Sequence, residues 1–375
     1  MKKSFLIAAM AGLAFVGCTE SDLDSSVKSQ QAISFSAPAV RPNTKAAEEI
    51  GVTYDKGLQF NVFGNWFTGD YTKFGESKTY INEATAVYDA TGNTWYPLNG
   101  VNYYYWPKNG TITFSAYSPA SDKMKDAANI TANGLTFTDY VVSNTNNSAM
   151  EDVLFSERAY NKVASTGSNT PYAGVDIQFR HALSSIVFTA KMDKAYPGTQ
   201  VRIKTITLSN VASKASFDQN LDDANAKTTK LPTIAAGTGT STNEAAWTGH
   251  STPVAYSVDN SNKILENAND AAPYYFCTTD GKAPAYYGAD TNNYRKSDFI
   301  LIPQNLDGVT LTIVYTIKTP DSDEIDQTFT KVFTSTAEWK MGYRYIYNIA
   351  IGFNPITLAP MVTLYEDVTD INLAI

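Results

Sequence analysis

Short stretches in which apolar and polar residues alternate occur along most of this chain. In the cleanest, Tyr343 to Ile351, an aromatic or aliphatic residue stands at every second position. Weaker alternation or short apolar runs lie at 32–37, 58–62, 101–106, 112–116, 135–142, 152–155, 175–179, 183–190, 201–208, 299–302, 309–317, 329–333 and 361–365. A period of two predicts strands with one buried face. Turn residues recur between these runs and no long helical period occurs, so the sequence predicts an all-β protein of the sandwich type.

The length of the chain predicts two domains. Without its first 17 residues the 375-residue chain keeps 358, which exceeds the usual single domain. Residues 161–172 are rich in Ser, Thr, Asn and Gly and mark a boundary between predicted domains at 32–165 and 170–375. The apolar run at 179–188 then opens the second sandwich. Small and polar residues dominate from 209 to about 262, where we expect long loops with one or two short strands.

The N terminus has the pattern of a bacterial lipoprotein signal. A basic start precedes an apolar run at 5–16, which is too short to rest across a bilayer. Gly17 directly before Cys18 resembles a lipobox, which predicts a signal peptide at 1–17 and a lipid on Cys18. The alternative is an ordinary signal peptide with an incidental cysteine. The polar residues 18–31 are predicted to be a flexible tether.

Charge and cysteine content exclude several classes of function. The net charge of −8 disfavours nucleic acid and anionic lipid surfaces as partners. If Cys18 carries lipid, Cys277 has no partner, so the sequence predicts no disulfide framework. Stability must then come from the core, which the 18 Phe, 24 Tyr and 5 Trp side chains are sufficient to fill.

No group of residues has the spacing of a catalytic or metal site. His181 lies in a strand-like run without a recognisable nucleophile or carboxylate, which favours a half-buried structural histidine. His250 lies in a predicted polar loop and is expected to be solvated. Asp218 and Asp222 have the spacing of calcium ligands, but Thr229 stands where the glutamate ligand should be. We therefore expect no enzyme, no cofactor and no metal.

Four consecutive aromatic residues, Tyr103 to Trp106, form the most conspicuous candidate for a functional surface. Neighbouring residues on a strand face opposite sides, so one or two of these rings must lie outside the core. We take Tyr104 and Trp106 as the candidates for surface aromatics, which could stack on sugar rings or form a protein interface. The alternative, which we favour, is packing against loops or the other domain.

Several short motifs, in their order along the chain, resemble one family. They are Ile33-Ser34-Phe35-Ser36, Tyr105-Trp106-Pro107 before the run at 112–119, Asp152-Val153-Leu154, the run at 179–184, Leu301-Ile302-Pro303-Gln304 and Trp339-Lys340-Met341-Gly342. Together with the lipobox they resemble the Mfa-like fimbrillins of Bacteroides-type bacteria over nearly the whole mature chain. The resemblance implies two tandem transthyretin-like antiparallel β-sandwich domains in a fimbrial subunit that is exported as a lipoprotein.

The resemblance also implies assembly by donor-strand exchange. In that family a trypsin-like protease removes the first strand, and a strand of a neighbouring subunit fills the vacated groove. Carried over to this sequence, the excised strand contains Ile33 and Phe35, and proteolytic processing falls after Arg41 or Lys45. Pro42 makes Arg41 a poor site for most trypsin-like enzymes, whereas Lys45 needs a protease that accepts lysine. The alternative is that both are solvated loop charges.

The donor strand implied by the resemblance lies in the apolar C-terminal segment at 361–375, which includes Met361 and Leu364. The alternative is a final strand folded into its own domain. We therefore predict a structural subunit of a surface pilus that supports adhesion. Its partners would be other pilus subunits, the outer membrane through the lipid, and a host or bacterial surface ligand. The alternative function is a surface-anchored glycan-binding lipoprotein that uses Tyr104 and Trp106.

Overall fold

The computed structural model of the chain describes eleven ranges of residues. They are 31–36, 39–40, 52–53, 56–144, 150–164, 174–221, 245–258, 263–266, 273–276, 299–353 and 357–364. These ranges form strands, turns and one short α-helix, which confirms the prediction of an all-β protein with antiparallel sheets. None of their helical turns has the length and apolar character that crossing a membrane requires.

The strands and the α-helix of the described ranges are numbered in chain order. Those up to the middle of the chain are β1 (Ala39–Val40), β2 (Val52–Thr53), β3 (Phe60–Phe67), β4 (Lys78–Asp89), β5 (Thr94–Asn99), β6 (Asn102–Tyr103), β7 (Thr111–Ser118), α1 (Asp122–Ala127), β8 (Ala128–Thr131), β9 (Gly134–Val141), β10 (Leu154–Ser156), β11 (Ala159–Lys162) and β12 (Gln178–His181). The later strands are β13 (Ser184–Met192), β14 (Gln200–Asp218), β15 (Ala246–Ser257), β16 (Lys263–Glu266), β17 (Tyr274–Tyr275), β18 (Phe299–Leu301), β19 (Gln304–Asn305), β20 (Thr310–Lys318), β21 (Ile325–Val332), β22 (Glu338–Trp339), β23 (Tyr343–Ile351) and β24 (Thr357–Leu364).

Most predicted strands coincide with observed ones, but one region differs. β23 covers the alternating run that begins at Tyr343, and β20 pairs with β21 in an antiparallel hairpin. The expectation of long loops from residue 209 onward is wrong in its described part. β14 continues unbroken to Asp218, and β15 spans twelve residues. The small polar residues of β14 alternate with buried ones such as Val211 and Phe217, so the period of two persists with few large side chains.

The N-terminal segment closes the first sheet. Its strand order is β2-β1-β12-β10-β7-β3-β4-β5-β6, with β11 also paired to β7. Phe35 pairs antiparallel with Trp95 of β5 and parallel with Val175, which lies just before β12. Because β5 and β12 lie toward opposite ends of this order, the segment joins the two sides and the sheet curls around one core. The enclosed side chains include Ile33, Phe35, Phe60, Trp95, Phe114 and Phe179.

Two further sheets pack face to face around a larger core. One has the order β21-β20-β14-β9-β8, with β15 and β16 also paired to β14. The other has the order β17-β13-β23-β24, with β18 also paired to β13. Tyr256 of β15 meets Phe299 of β18 with 6.0 Å between ring centroids, and Phe333, just after β21, meets Tyr347 of β23 at 5.8 Å. The facing side chains of both sheets therefore form one continuous apolar layer.

Strand pairing crosses the predicted domain boundary in both directions. β9 precedes the boundary, yet it pairs with β14 of the second part. β12 follows the boundary, yet it pairs with β10 of the first part. The run at 179–188 thus contributes to two sheets, ending the first with β12 and beginning the next with β13. The division into tandem domains at 32–165 and 170–375 stays a prediction.

Candidate functional site

Residues 31–36, hereafter the first strand, are bound through the backbone along the side that faces β5. The Phe35 N–H donates to the Trp95 carbonyl at 2.8 Å, and the Trp95 N–H donates back to the Phe35 carbonyl at 3.0 Å. Two residues earlier, the Ile33 N–H donates to the Tyr104 carbonyl at 2.8 Å. These bonds fix the register of the first strand against β5 and the segment that links β5 to β7.

The opposite side of the first strand is bound in the same way. The Val175 N–H donates to the Ser34 carbonyl at 2.7 Å, and the Ser36 N–H donates to the Val175 carbonyl at 3.0 Å. The first strand is therefore an interior strand although it stands near the chain terminus. Its removal would leave unpaired donors and acceptors on two separate parts of the sheet.

The side chains of the first strand fill pockets in the first core. Ile33 and Phe35 are fully buried. The Phe35 ring meets Phe60 edge-on at 5.7 Å and Phe114 edge-on at 5.3 Å. Ser34 is buried as well, at 3% exposed, so the position between the two apolar residues accepts a small side chain. We call the walls and pockets that hold residues 31–36 the first-strand groove.

Gly174 lines the first-strand groove at the point where its own backbone lies against the backbone of Phe35 and Ser36. A Cβ atom at this position would lie 2.4 Å from the Ser36 nitrogen and 2.6 Å from the Phe35 carbonyl carbon. Gly174 also has a φ of +89°, which L side chains rarely adopt. A glycine is therefore required here for the first strand to reach Val175. The sequence reasoning did not identify this residue.

The chain leaves the first strand through β1, which continues along the same edge. Ala39 and Val40 pair in parallel with Gln178 and Phe179 of β12 and antiparallel with β2. The connection between β1 and β2 contains Arg41 and Lys45, which lie outside the described residues. Both predicted cleavage positions thus fall between two strands that are paired to each other.

The C-terminal segment forms the last strand of its own sheet. β24 pairs antiparallel with β23 from Tyr343 opposite Leu364 to Ala350 opposite Thr357. Met361 is partly buried against Val187 and Ile346. β24 stands at the end of its sheet order, and its outer edge has no partner strand in the part of the chain that the structure describes. Met361 and Leu364 are therefore placed as in an ordinary final strand, and their donor role stays a prediction.

Within the aromatic run, Tyr104 and Trp106 face inward, so they are not the surface rings that stacking on a sugar would need. Trp106 is only 6% exposed and meets Phe114 edge-on at 5.9 Å, so it is not a surface side chain. Tyr104 is partly buried against the same core. The exposed members are Tyr103 and Tyr105, at 47% and 40%. Pairing of this segment with the first strand turns the even-numbered rings inward, which periodicity alone did not reveal.

The two histidines have structural partners. His181 is fully buried rather than half-buried, and its Nδ1 lies 2.9 Å from Asp152 Oδ1. The adjacent Arg180 pairs with Glu157 Oε1 at 3.1 Å, so both contacts connect β12 to the segment around β10. His250 lies on β15 rather than in a loop, with Nε2 2.7 Å from the Pro303 carbonyl oxygen. Two motifs 29 residues apart thus meet, which their spacing in the sequence does not predict.

Burial holds several tyrosine hydroxyls in their neutral form. It raises the pKa of Tyr347 to about 12 and raises the pKa of Tyr140, Tyr256 and Tyr345 above the ordinary value. In the described ranges, no three His, Cys, Asp or Glu side chains gather as metal ligands would. Asp218 closes its own turn by accepting from the Asn220 N–H at 2.8 Å. Asp222 and Thr229, also considered for calcium, lie outside the described residues.

The curled first sheet and the sandwich beside it define a β-sheet protein with an N-terminal strand inserted between distant segments. The chain belongs to the fimbrillin-like family, whose model matches residues 44–363. This match confirms the resemblance drawn from the sequence motifs. The family is one of fimbrial structural subunits, so membership supports a fimbrial role at the cell surface among other pilus subunits.

Two solved structures that resemble this chain come from Bacteroides species. A fimbrial protein from Bacteroides vulgatus shares 16% identity at a TM-score of 0.52, over 89% of this chain and 99% of that chain. A candidate cell adhesion protein from Bacteroides ovatus shares 15% identity at a TM-score of 0.49, over 92% of this chain and 100% of that one. At 16% identity, the similarity to the Bacteroides vulgatus protein shows a shared fold and nothing about function. No curated protein sequence matches the chain.

Proposed function

We propose that the protein is a pilus subunit that is exported as a lipoprotein through Cys18 and assembles by donor-strand exchange. Cleavage after Lys45 or Arg41 would free the first strand, and a strand from a neighbouring subunit would enter the first-strand groove. The lipid would hold the subunit at the outer membrane before cleavage. The assembled pilus would support adhesion.

The observation that carries this proposal is the insertion of the first strand with backbone bonds on both sides. Ile33 and Phe35 are fully buried, and burial of such a side chain is worth about 1.5–3 kcal/mol. An emptied groove would expose these pockets together with unpaired groups at Trp95 and Val175. A replacement strand with apolar residues at alternate positions would satisfy both, as in β-augmentation.

Limited proteolysis of the folded protein tests the cleavage step. The mature protein is treated with lysine-specific or arginine-specific protease under native conditions and analysed by intact mass and SDS gels without boiling. We expect one cut, after Lys45 or Arg41, followed by a ladder of SDS-resistant oligomers. Lys45→Gln and Arg41→Gln variants identify the bond, and Lys108→Gln, at an exposed loop position, is the matched control. Absence of a cut between β1 and β2, or a clean cut that never yields oligomers, would contradict strand exchange by this subunit.

A mixing experiment separates the donor role from the acceptor role. A subunit carrying Met361→Asp and Leu364→Asp is cleaved and combined with cleaved wild-type subunits. We expect the variant to accept a strand but not to provide one, so that chains end at the variant. Ladders of unchanged length would place the donor outside residues 361–364. Circular dichroism of the variant checks that β24 still folds.

The lipid anchor has its own test. Cells that express the wild-type chain or Cys18→Ala are labelled with a palmitate analogue and separated into membrane and soluble fractions. We expect label and membrane association for the wild type and loss of both for the variant. Unlabelled wild-type protein would overturn the lipoprotein part of the proposal and leave the strand-exchange part standing.

A further inference from the structure

An open cleft lies away from the first-strand groove, between α1, the end of β9 and the middle of β15. Its volume is about 700 Å³, which is large enough for a small organic ligand. Its polar lining includes Lys123, Asp126, Asp139, Asn144, Ser213 and Thr252. Its apolar lining comes mainly from Val141, Val142 and Val254. The strand-exchange proposal uses none of these residues.

Two of the lining residues have an uncommon backbone conformation. Asp139 has a φ of 53° and Thr252 a φ of 55°, in the left-handed region that β-branched residues such as threonine rarely occupy. Asp139 lies where the pairing of β9 with β14 shifts register, and its N–H donates to the Ser216 hydroxyl oxygen at 3.0 Å. The Thr252 carbonyl accepts from the buried Ser213 hydroxyl at 2.8 Å. Bulges and strained residues of this kind often redirect side chains at binding sites.

The charges around the cleft are largely compensated. Lys123 Nζ lies 4.1 Å above the Tyr140 ring and 3.9 Å from Glu151 Oε2. Burial lowers the pKa of Lys123, although the nearby Glu151 acts in the opposite direction. Asp139 pairs with Lys214 at 2.9 Å. An anionic ligand would therefore gain little from the rim, because Lys123 already has partners and the anion would also meet Asp126 and Asp139.

The lining suits a ligand that is neutral, rich in hydroxyl groups and apolar on one face. Carboxylate, amide and hydroxyl groups can accept from and donate to neighbouring sugar hydroxyls, while Val141 and Val254 offer an apolar surface to the C–H face of a ring. We propose that this cleft is a binding site for a neutral saccharide. The site is independent of strand exchange.

Ligand-observed NMR tests the cleft with defined probes. Saturation-transfer spectra of the full mature protein are recorded with lactose, maltose, cellobiose and N-acetylglucosamine, and with 3′-sialyllactose and inorganic phosphate as charged comparisons. We expect at least one neutral sugar to bind, with a millimolar Kd, and the charged probes to bind at least tenfold more weakly. A double variant, Asp126→Ala with Asp139→Asn, should lose at least tenfold in affinity. Asparagine tolerates the left-handed conformation, so the bulge should persist.

Matched controls keep the outcome specific. Asp326→Asn, on exposed β21, removes a carboxylate outside the cleft and should leave binding unchanged. The double variant should melt within a few degrees of the wild type and should form the same ladders after cleavage. The proposal is overturned if no neutral sugar binds, if phosphate or sialyllactose binds more tightly, or if the double variant binds like the wild type.

Discussion

Gly174 shows how a single residue governs access of the first strand to the sheet. Its missing side chain lets the backbone of Phe35 and Ser36 approach Val175 closely enough to pair. No turn motif in the sequence marks this glycine, because the atoms it must avoid lie about 139 residues away in the chain. Tertiary contact, not local propensity, fixes its identity.

Gly174→Ala should therefore loosen the first strand in particular. We expect a loss of about 1–3 kcal/mol from overpacking, in addition to about 1–2 kcal/mol for alanine in a left-handed conformation. Hydrogen exchange at Ile33 and Phe35 should rise more than exchange in β23. Gly249→Ala is the control, because its φ is also positive, at +69°, but no atom lies within 4 Å of the added Cβ. Equal effects of both variants would argue against a role for Gly174 in the groove.

The buried hydroxyl of Tyr347 makes the stability of the larger core, between the two facing sheets, depend on pH. Its pKa is raised to about 12 by burial, against an ordinary value of about 10. Since the folded state holds the proton more tightly, its contribution to stability is intact below about pH 10 and is lost as the pH rises toward 12. Two pKa units correspond to about 3 kcal/mol.

Tyr347→Phe should make stability less sensitive to alkaline pH. At neutral pH the variant should lose about 1–3 kcal/mol, because the buried Trp339 Nε1–H loses the hydroxyl it reaches at 3.0 Å. Between pH 10 and 12 its free energy of unfolding, measured with urea, should fall less steeply than that of the wild type. Tyr103→Phe, at an exposed position, should retain the wild-type slope.

β14 illustrates what the sequence could and could not predict at the scale of elements. Its first part was predicted from apolar alternation, but its continuation to Asp218 contains small residues such as Ser213 and Ala215. Such residues are typical of loops, and only pairing with β9 and β15 makes them strand. The buried face of the aromatic run at 103–106 could not be predicted for a related reason, because it depends on where the first strand lies.

Gln304 completes the edge of β14 between β20 and β9. Its side-chain amide takes the place of a neighbouring strand, because Oε1 accepts from the Ala212 N–H at 2.9 Å and Nε2 donates to the Ala212 carbonyl at 3.2 Å. Gln304→Leu should cost about 2–3 kcal/mol, since it leaves both backbone groups without these partners. Asn305→Ala removes one exposed hydrogen bond and should cost less than about 1 kcal/mol. Urea denaturation compares the two, and similar losses would refute the strand-mimic role.

At the scale of the molecule, the sequence predicted the class of fold and the family but not how the sheets share the chain. Polar residues at 161–172 marked a boundary, yet β9 and β12 each pair with the sheet on its other side. Strand partners come from three-dimensional pairing between apolar runs that look alike in sequence. Alternation identifies a strand but carries no information on its neighbour.

Arg158 is predicted to couple the first sheet to the sheet that contains β8, β9 and β14. Its buried guanidinium donates to the Tyr71 hydroxyl at 2.8 Å, beside the first sheet, and to the Thr131 carbonyl at 3.0 Å, at the end of β8. Arg158→Met should cost about 2–4 kcal/mol because charged donors to buried acceptors are lost. It should also broaden or split the calorimetric unfolding transition, whereas Lys162→Met should leave one sharp transition. An unchanged single transition in Arg158→Met would show that other contacts are enough to couple the two sheets, and would contradict this role of Arg158.

The position of the first strand also sets an order for folding. Its Ser36 hydroxyl donates to the carbonyl of Val175, 139 residues later in the chain, so residues 31–36 are synthesised well before their partner. Closing so long a loop is slow compared with forming hairpins such as β20–β21. We therefore expect the first strand to join the first sheet late in folding. A subunit that folds in this order would pass once through a state with an open first-strand groove, the same state that strand exchange would later need.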